Sequence, residues 1–147
     1  MKVCTHLAID PRWSGAPVEL RDGAAVVALA TLPEMAADAS GLVHGGFVFA
    51  LADYAAMLAV NEPNVVLANA EVHFLRPVVV GERLTAEAIV EQAHGKRRRV
   101  RCTVSGPAGE VFRGELTCVV PARHVLAPDG DEGGAVSEAG RRERRGA

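Results

Sequence analysis

The chain contains few aromatic residues and few cysteines. Trp, Tyr and Phe make up 4% of its 147 residues, whereas all hydrophobic residues make up 49%, so Val, Leu and Ala must fill most of the core. Cys4, Cys102 and Cys118 are odd in number and widely spaced, which argues against a disulfide framework and against a cysteine-based metal site. We therefore expect reduced thiols, a cytoplasmic location and no metal ion.

The chain also lacks a strong charge of either sign, a secretory signal and an uninterrupted membrane span. Its formal net charge of -2 gives no general reason to expect nucleic acid or an acidic membrane as a partner. Met1 to Ala8 do not combine a charged region with a long apolar run, as a secretory signal would. Residues 41–60 have the length and apolar character of a span, but Asp53 near their centre would cost about 2.5–3.5 kcal/mol in a bilayer. These absences predict a protein with neither nucleic acid nor membrane as a partner.

Composition divides the chain into three parts. Residues 1–17 contain proline and glycine without periodicity, which predicts an irregular lead-in. Residues 126–147 are rich in Gly, Glu and Arg with little to bury, which predicts a disordered tail. The basic residues of the tail could contact a polyanion or simply be solvated: Arg141, Arg142, Arg144 and Arg145. A single domain over residues 18–125 remains.

The first half of the domain predicts a hairpin followed by one helix. Val18–Leu20 and Ala24–Leu32 flank Asp22-Gly23, a dipeptide that favours a tight turn between two strands. Gly46–Val60 is rich in Ala and Leu and stops before Pro63, which predicts a helix. Since its apolar residues go all the way round, we expect this helix to be buried on all sides.

The second half predicts four strands, because apolar and polar residues alternate in four successive segments. These segments are residues 65–76, 84–90, 99–104 and 112–120. In the first of them, the residues predicted to face the core are Val66, Ala68, Ala70, Val72 and Phe74. The turns between segments, at Gly81, Gly95 and Gly106–Gly109, are short enough for an antiparallel meander. The pattern as a whole predicts an α+β domain with an antiparallel sheet wrapped around one long central helix.

Asp53 is the only ionisable side chain between Gly46 and Val60. Burying an isolated carboxylate is costly, so the group needs a partner or a chemical purpose. Two interpretations are open. Asp53 could cap a loop or form a buried ion pair, or it could act as a general base or nucleophile with a pKa raised by its apolar surroundings.

His44-Gly45-Gly46 lies at the start of the predicted helix, where the first backbone N–H groups have no intrahelical partner and the helix dipole is positive. Such an end can hold an oxyanion, although a glycine pair before a helix can also be only a turn. Gly45 and Asp53 are separated by about 12 Å along the helix axis, too far for both to touch one substrate carbonyl. If the helix packs antiparallel against its copy across a two-fold axis, the two groups can meet at sites shared between subunits.

The sequence resembles the PaaI-like hotdog acyl-CoA thioesterases, a family named for phenylacetate degradation. The motifs that carry the resemblance lie within residues 18–121 and are Gly41-Leu-Val-His44-Gly45-Gly46, Leu51-Ala-Asp53, Val72-His-Phe74-Leu-Arg76-Pro77, Gly81-Glu82, Gly95-Lys96 and Phe112-Arg113-Gly114. The resemblance implies the hotdog fold, hydrolysis of an acyl-CoA without a cofactor, and assembly as a homodimer or a dimer of dimers. It also implies that the N–H of Gly45 polarises the thioester carbonyl, that His44 helps orient the thioester, and that Asp53 acts from the partner subunit.

Further residues are expected to contact the substrate. Gly46 would let the substrate approach the backbone closely, and Arg76 belongs to one of the matching motifs. Tyr54, together with Phe47 and Met57, is expected to shape the pocket for the acyl group.

Two positions depart from the family pattern. Asp38 stands where many relatives have Asn, six residues before the histidine, and this affects how the attacking water is positioned. The hydroxyl that some relatives carry on the strand after the helix is replaced near Leu67. Both departures affect efficiency and substrate choice.

Basic residues are densest at Lys96, Arg97, Arg98, Arg99 and Arg101. Alternation places Arg97, Arg99 and Arg101 on one outward strand face, and this face could simply be solvated. Arginine also suits the phosphates of coenzyme A through bidentate contacts, and relatives often hold the CoA nucleotide near this pair of strands. We expect the cluster to bind acyl-CoA.

Two functions other than hydrolysis are considered. An acyl-CoA-binding regulator would use the same pocket without turnover, but binding alone does not require a buried carboxylate. A hotdog dehydratase fits less well, because the sequence offers no second Asp/His pairing of the kind used in hydration chemistry. For a thioesterase, Asp53 is either the general base or the nucleophile.

Overall fold

A computed structural model of the chain describes residues 1–128, and the predicted tail with its arginines lies outside these residues from position 129 onward. The described part forms a six-stranded sheet, and a long helix contacts every strand of it. The strands are β1 (Ala16–Arg21), β2 (Ala24–Ala30), β3 (Val66–Phe74), β4 (Arg83–His94), β5 (Arg97–Gly106) and β6 (Gly109–Val119). The helices are α1 (Pro11–Ser14) and α2 (Gly45–Val60), and a 3₁₀ turn spans Pro33–Met35. The predicted α+β architecture, with a sheet around one helix, is confirmed.

The strands run antiparallel in the order β1-β2-β4-β5-β6-β3. The predicted first hairpin is present and turns at Gly23, whose φ of +75° favours glycine. The meander is confirmed for β4, β5 and β6 but is wrong for β3, which pairs with β6 at the edge of the sheet. The alternation and turn signals mark where a strand ends, but they do not reveal which strand it joins.

The connection from β3 to β4 explains this difference. Its residues leave the sheet and form backbone hydrogen bonds with the segment that leads into α2. Val43 donates to the carbonyl of Val78 at 2.8 Å, and Val80 donates to the carbonyl of Gly41 at 2.9 Å. The connection therefore braces the start of the central helix instead of closing a tight hairpin.

Burial along β4, β5 and β6 follows the predicted alternation. The fully buried residues of these strands include Leu84, Ala86, Ala88, Val100, Cys102, Val104, Phe112, Leu116 and Cys118. In β3 the prediction fails in part, because the register shifts between Leu67 and Asn69. This bulge leaves Ala68 exposed, and Phe74 at the strand end is 55% exposed.

Helix α2 begins at Gly45 and supplies much of the core. Leu51, Ala52 and Leu58 are fully buried. The expected burial on all sides is wrong for the single chain, because the sheet does not cover the whole helix. The part left incompletely covered, called here the open face of α2, consists of Gly46, Phe49, Ala50 and Asp53, which helical spacing places on one side. Among the residues described, no helix is long and apolar enough to cross a membrane.

The lead-in is more ordered than predicted and runs alongside α2. The backbone N–H of Cys4 donates to the Asn61 side chain at the end of α2 (2.8 Å), while Trp13 packs on Phe47 in its first turn. The short helix α1 has the expected start signals, with Asp10 as the N-cap and Pro11 as the first residue. These signals are too brief to give a periodic pattern, which is why the composition suggested an irregular segment.

Candidate functional site

The start of α2 lines an open cavity of about 300 Å³. His44 is the N-cap residue, and the Gly45 and Gly46 N–H groups that follow it have no intrahelical partner, whereas the Phe47 N–H donates to the His44 carbonyl at 3.0 Å. Most of the lining is apolar: Leu42, Val43, Gly45, Val48, Phe74, Leu75, Arg76, Pro77, Val78 and Val111. A carbonyl entering this cavity would meet backbone donors in a mainly apolar environment, which strengthens such hydrogen bonds.

The lack of a Cβ at both glycines of the His-Gly-Gly segment lets aromatic side chains lie close to the backbone. A Cβ at Gly45 would lie 3.3 Å from the Phe74 ring, and a Cβ at Gly46 would lie 2.8 Å from Nε2 of His44. Gly46, predicted to contact substrate, therefore also has a local role, since it leaves room for the imidazole of His44 beside the helix. Gly45, by contrast, lines the cavity itself.

Asp53 lies on the open face of α2 as a half-buried residue. Its Oδ1 is buried and has no hydrogen-bond partner within residues 1–128, and burial raises the pKa of Asp53 above its ordinary value of 3.8. The described part of the chain provides neither the loop cap nor the ion pair considered as the structural interpretation. A buried carboxylate oxygen without a protein partner calls for an explanation such as a catalytic role, a bound water or a second chain nearby.

The two buried thiols near Asp53 are poor nucleophiles. Burial, and secondarily the charge of Asp53, raises the pKa of Cys118 to about 12. The pKa of Cys102 is raised further, mainly by burial, and its Sγ donates to the carbonyl of Ala52 at 3.6 Å. Since the thiolate is the reactive form, both cysteines remain inert at neutral pH.

A pH-dependent stability measurement tests the burial of Asp53. Because its pKa is raised in the folded state, the folded protein keeps a proton that the unfolded chain has already lost above pH 3.8. Stability should therefore fall as pH rises from the unfolded-state pKa through the folded-state pKa. Asp53→Asn cannot ionise, so its stability relative to the wild type should increase across this window and stay constant above it. Urea unfolding at a series of pH values measures this difference, and a difference that does not change with pH would contradict it.

The remaining predicted residues have varied surroundings. Asp38 is exposed, and its Oδ1 accepts hydrogen bonds from the N–H groups of Ser40 (2.9 Å) and Leu42 (3.2 Å), so it shapes the loop before His44. Tyr54 is buried, and burial raises its pKa. Arg76 borders the cavity at Gly45.

The guanidinium of Arg76 also fastens the turn between β5 and β6. It donates to the carbonyls of Ala108 (3.2 Å) and Glu110 (3.3 Å). Arg76 therefore holds this turn beside the cavity that it lines.

The arginine cluster lies at the β4–β5 hairpin and lines a separate depression of about 120 Å³. The depression is lined by Gln92, His94, Arg97, Arg98, Arg99 and Thr117, and it shares no lining residue with the cavity at Gly45. The predicted outward face is confirmed, since Arg97, Arg99 and Arg101 are all exposed. Lys96 is exposed at the hairpin turn beside them.

Several of these arginines already have partners within the chain. Arg99 forms an ion pair with Glu115 at 2.6 Å, and Arg101 forms one with Glu91 at 3.5 Å. Arg98 donates to the carbonyl of Gly95 at 2.8 Å. Among the described residues Arg97 has no ion-pair partner, so it is the arginine of the cluster best able to bind an added anion.

The structure thus brings some predicted residues together and separates others. Gly45 and Arg76 line one cavity, whereas His44, Gly46, Asp53 and Tyr54 do not line it in the single chain. Within residues 1–128, no group of three or more His, Cys, Asp or Glu side chains is arranged to hold a metal ion. Sequence patterns missed Val78 and Val111 as cavity residues, because neither stood out from ordinary core valines.

Comparison with solved structures gives two informative neighbours. The uncharacterized protein PH1136 from Pyrococcus horikoshii is 46% identical, with a TM-score of 0.85 over 86% of this chain and 98% of that one. The PaaI protein of the E. coli phenylacetic acid degradation operon is 25% identical, with a TM-score of 0.65 over 70% of this chain and 80% of that one.

Curated relatives give a mixed functional signal. Methylthioribose-1-phosphate isomerase of Aquifex aeolicus is 49% identical over 119 residues, which are 81% of this chain and 26% of that protein. The transcription factor FapR of Shouchella clausii is 37% identical over 84 residues, which are 57% of this chain and 44% of that protein. The chain therefore spans about a quarter to a half of the length of the curated relatives it matches.

A family model described as the Thioesterase superfamily matches residues 40–112. The matched segment includes the His-Gly-Gly helix start, Asp53 and the strands up to Phe112. Together with the sheet around α2 and the likeness to PH1136 and PaaI, this match identifies the family. The chain belongs to the thioesterase superfamily and has the hotdog fold of its PaaI-like members.

Proposed function

We propose that this chain is an acyl-CoA thioesterase whose active site is completed by a second copy of the chain. The observation that supports this most strongly is Asp53, which has a buried carboxylate oxygen on the open face of α2 without a hydrogen-bond partner in the described part of the chain. Such a group is unfavourable for folding and needs a compensating role. Hydrolysis supplies one, because it requires a base or nucleophile next to the thioester.

The second copy explains how Gly45 and Asp53 act on one substrate. They are separated by about 12 Å along α2, so a single chain does not bring both to one carbonyl. Two α2 helices packed antiparallel through their open faces would bring the Asp53 of each subunit towards the helix start of the other. Strand β3 is an edge strand, which leaves its outer backbone groups available for pairing with another chain.

In the proposed reaction, the thioester carbonyl enters the cavity and accepts a hydrogen bond from the Gly45 N–H, while His44 helps orient the thioester. Asp53 of the second subunit takes a proton from water as the water oxygen bonds to the carbonyl carbon. The C–S bond then breaks, CoA leaves and takes up a proton, and the acid is released. Alternatively, Asp53 attacks the carbonyl carbon and water cleaves the resulting anhydride. Both routes consume one water and require no cofactor.

A panel of acyl-CoAs, assayed by release of free thiol, tests the proposed activity. Turnover of at least one acyl-CoA by the purified chain is expected, and an apolar acyl group is favoured by the apolar cavity. Tight binding of acyl-CoA without thiol release across the panel would contradict hydrolysis and favour the alternative described below.

The arginine cluster is proposed to bind the phosphates of CoA, mainly through Arg97. Arg97→Gln should raise KM for acyl-CoA about threefold, in line with one exposed charge contact, and leave kcat unchanged. The effect should shrink at high salt. Steady-state kinetics with acyl-CoA and with acyl-pantetheine, which lacks the nucleotide, measures it.

Arg101→Gln is the matched control, because Arg101 lies on the same strand face but is paired with Glu91. We expect it to alter KM much less than Arg97→Gln does. An equal rise in KM for acyl-pantetheine would show that Arg97 acts on structure and not on the CoA phosphates.

The second candidate function is an acyl-CoA-binding regulator. The observation in its favour is the similarity to FapR, a transcription factor. This similarity covers 57% of the chain. A regulator that only binds acyl-CoA would not need the buried carboxylate of Asp53. Reduced cysteines and the proposed use of CoA both fit a cytoplasmic protein, which stays a prediction for either function.

A further inference from the structure

The exposed imidazole of His44 contacts one aromatic ring and makes no hydrogen bond with another group of residues 1–128. Within residues 1–128 its side chain makes no capping hydrogen bond, unlike the ring nitrogens of His6 and His124, which have partners. Instead the ring lies beside Gly46 and meets Phe47 edge-on, with ring centroids 6.0 Å apart and an interplanar angle of 85°. The direction of this imidazole therefore depends on where the Phe47 ring is held.

The Phe47 ring is held in turn by Trp13 of α1. Their centroids are 6.0 Å apart with an interplanar angle of 41°, and both residues are half-buried. Helix α1 is fixed at its end by Gly15, whose φ is +90° and whose absent Cβ would lie 2.7 Å from the carbonyl oxygen of Ala28. This close approach to β2 sets the position of Trp13 over the first turn of α2.

The outer face of Trp13 is also braced. The guanidinium of Arg12 lies 5.3 Å from the centre of the indole, and it forms an ion pair of 2.7 Å with Asp10. Asp10 is also the N-cap of α1, so a single side chain starts the helix and restrains the arginine. Arg12, Trp13, Phe47 and His44 thus form a continuous series of contacting groups that ends at the His-Gly-Gly segment.

From this series we infer that Trp13 is a positioning residue, which orients the imidazole of His44 through Phe47. The inference rests on the proposed function, in which His44 helps orient the thioester. Neither Trp13 nor His44 lines the cavity at Gly45 in the single chain, so Trp13 makes no substrate contact there and acts only through the residues it packs against. The lead-in is therefore part of the active-site support and not only a covering for the core.

The expected size of the effect follows from the strength of an aromatic pair. Such a pair changes an equilibrium by about twofold to twelvefold, so Trp13→Ala should lower kcat by up to about tenfold. KM should change less than twofold, because no substrate contact is removed. Trp13→Phe keeps a ring against Phe47 and should restore at least half of kcat.

A second measurement, by NMR, tests the position of the His44 ring and does not need enzyme activity. In the wild type, the proton-to-proton NOE between the His44 and Phe47 rings should be present, with the His44 signals assigned through His44→Gln. Trp13→Ala should abolish this NOE, and Trp13→Phe should keep it. Ile9→Ala is the matched control: Ile9 is another partly buried apolar residue of the lead-in, outside the series of contacting groups. It should lower stability and leave the NOE intact.

The two arms separate failure of this inference from failure of the proposed function. Loss of the NOE in Trp13→Ala supports the positioning role even if no acyl-CoA is hydrolysed. An unchanged NOE in folded Trp13→Ala overturns the inference, and so does a fall in kcat that Ile9→Ala reproduces equally. If Trp13→Ala does not fold, Phe47→Leu breaks the series one contact nearer to His44. It is judged by the same fall in kcat with little change in KM, and a kcat equal to the wild type overturns the inference.

Discussion

Replacing Asp53 by Asn should lower kcat for acyl-CoA hydrolysis at least about a hundredfold, the low end of general-base effects. Asn keeps the shape of the side chain but can neither accept the proton of water nor attack the carbonyl carbon. Since the carboxylate contributes to the chemical step and not to binding of CoA, KM should change little. Thiol release under steady-state conditions, together with calorimetric measurement of acyl-CoA affinity, gives both quantities.

The control for this substitution is Asp22→Asn, the same chemical change at an exposed carboxylate in the β1–β2 turn. It should leave kcat at the wild-type value. Loss of folding does not explain the expected result, because removal of the unpartnered charge of Asp53 should stabilise the protein at neutral pH. Near-normal turnover by folded Asp53→Asn would show that Asp53 is not the catalytic group.

Much of the fold follows from local patterns in the sequence. Helix α2 was predicted to within one residue at its start, because an apolar segment without proline ends before Pro63. The inward residues of β4, β5 and β6 were predicted because alternation depends only on which side of a sheet is buried. The position of β3 beside β6 could not be predicted in this way, because strand order depends on the path of residues 75–82 across the molecule.

The candidate site could be predicted only as a set of residues. The sequence identified Asp53 because a lone carboxylate in an apolar helix stands out, and the structure adds that its Oδ1 has no hydrogen-bond partner among residues 1–128. The sequence did not reveal that Arg99 is paired with Glu115, because that ion pair joins different strands. The contact of Trp13 with Phe47 was missed for the same reason, since residues far apart in sequence meet only after the lead-in folds along α2.

Mixed dimers provide the second large expected effect. Gly45→Val should inactivate its own homodimer by blocking the start of α2, and the nearby Phe74 ring is exposed enough to move aside. Asp53→Asn should inactivate its homodimer through loss of the carboxylate. In a mixed dimer, one site combines the intact Gly45 of one subunit with the intact Asp53 of the other, and the second site carries both defects. Activity should therefore return when the two inactive proteins exchange subunits.

The most direct test of a shared site is the thiol-release rate of this mixture after exchange at equal concentrations. Random exchange makes half of the dimers mixed, and each mixed dimer has one intact site out of two, so the account predicts about a quarter of the wild-type rate per subunit. Circular dichroism of each variant and native mass spectrometry of the mixture verify folding and exchange. Mixed dimers that form and stay inactive would contradict the shared site and would require Gly45 and Asp53 to meet within one chain.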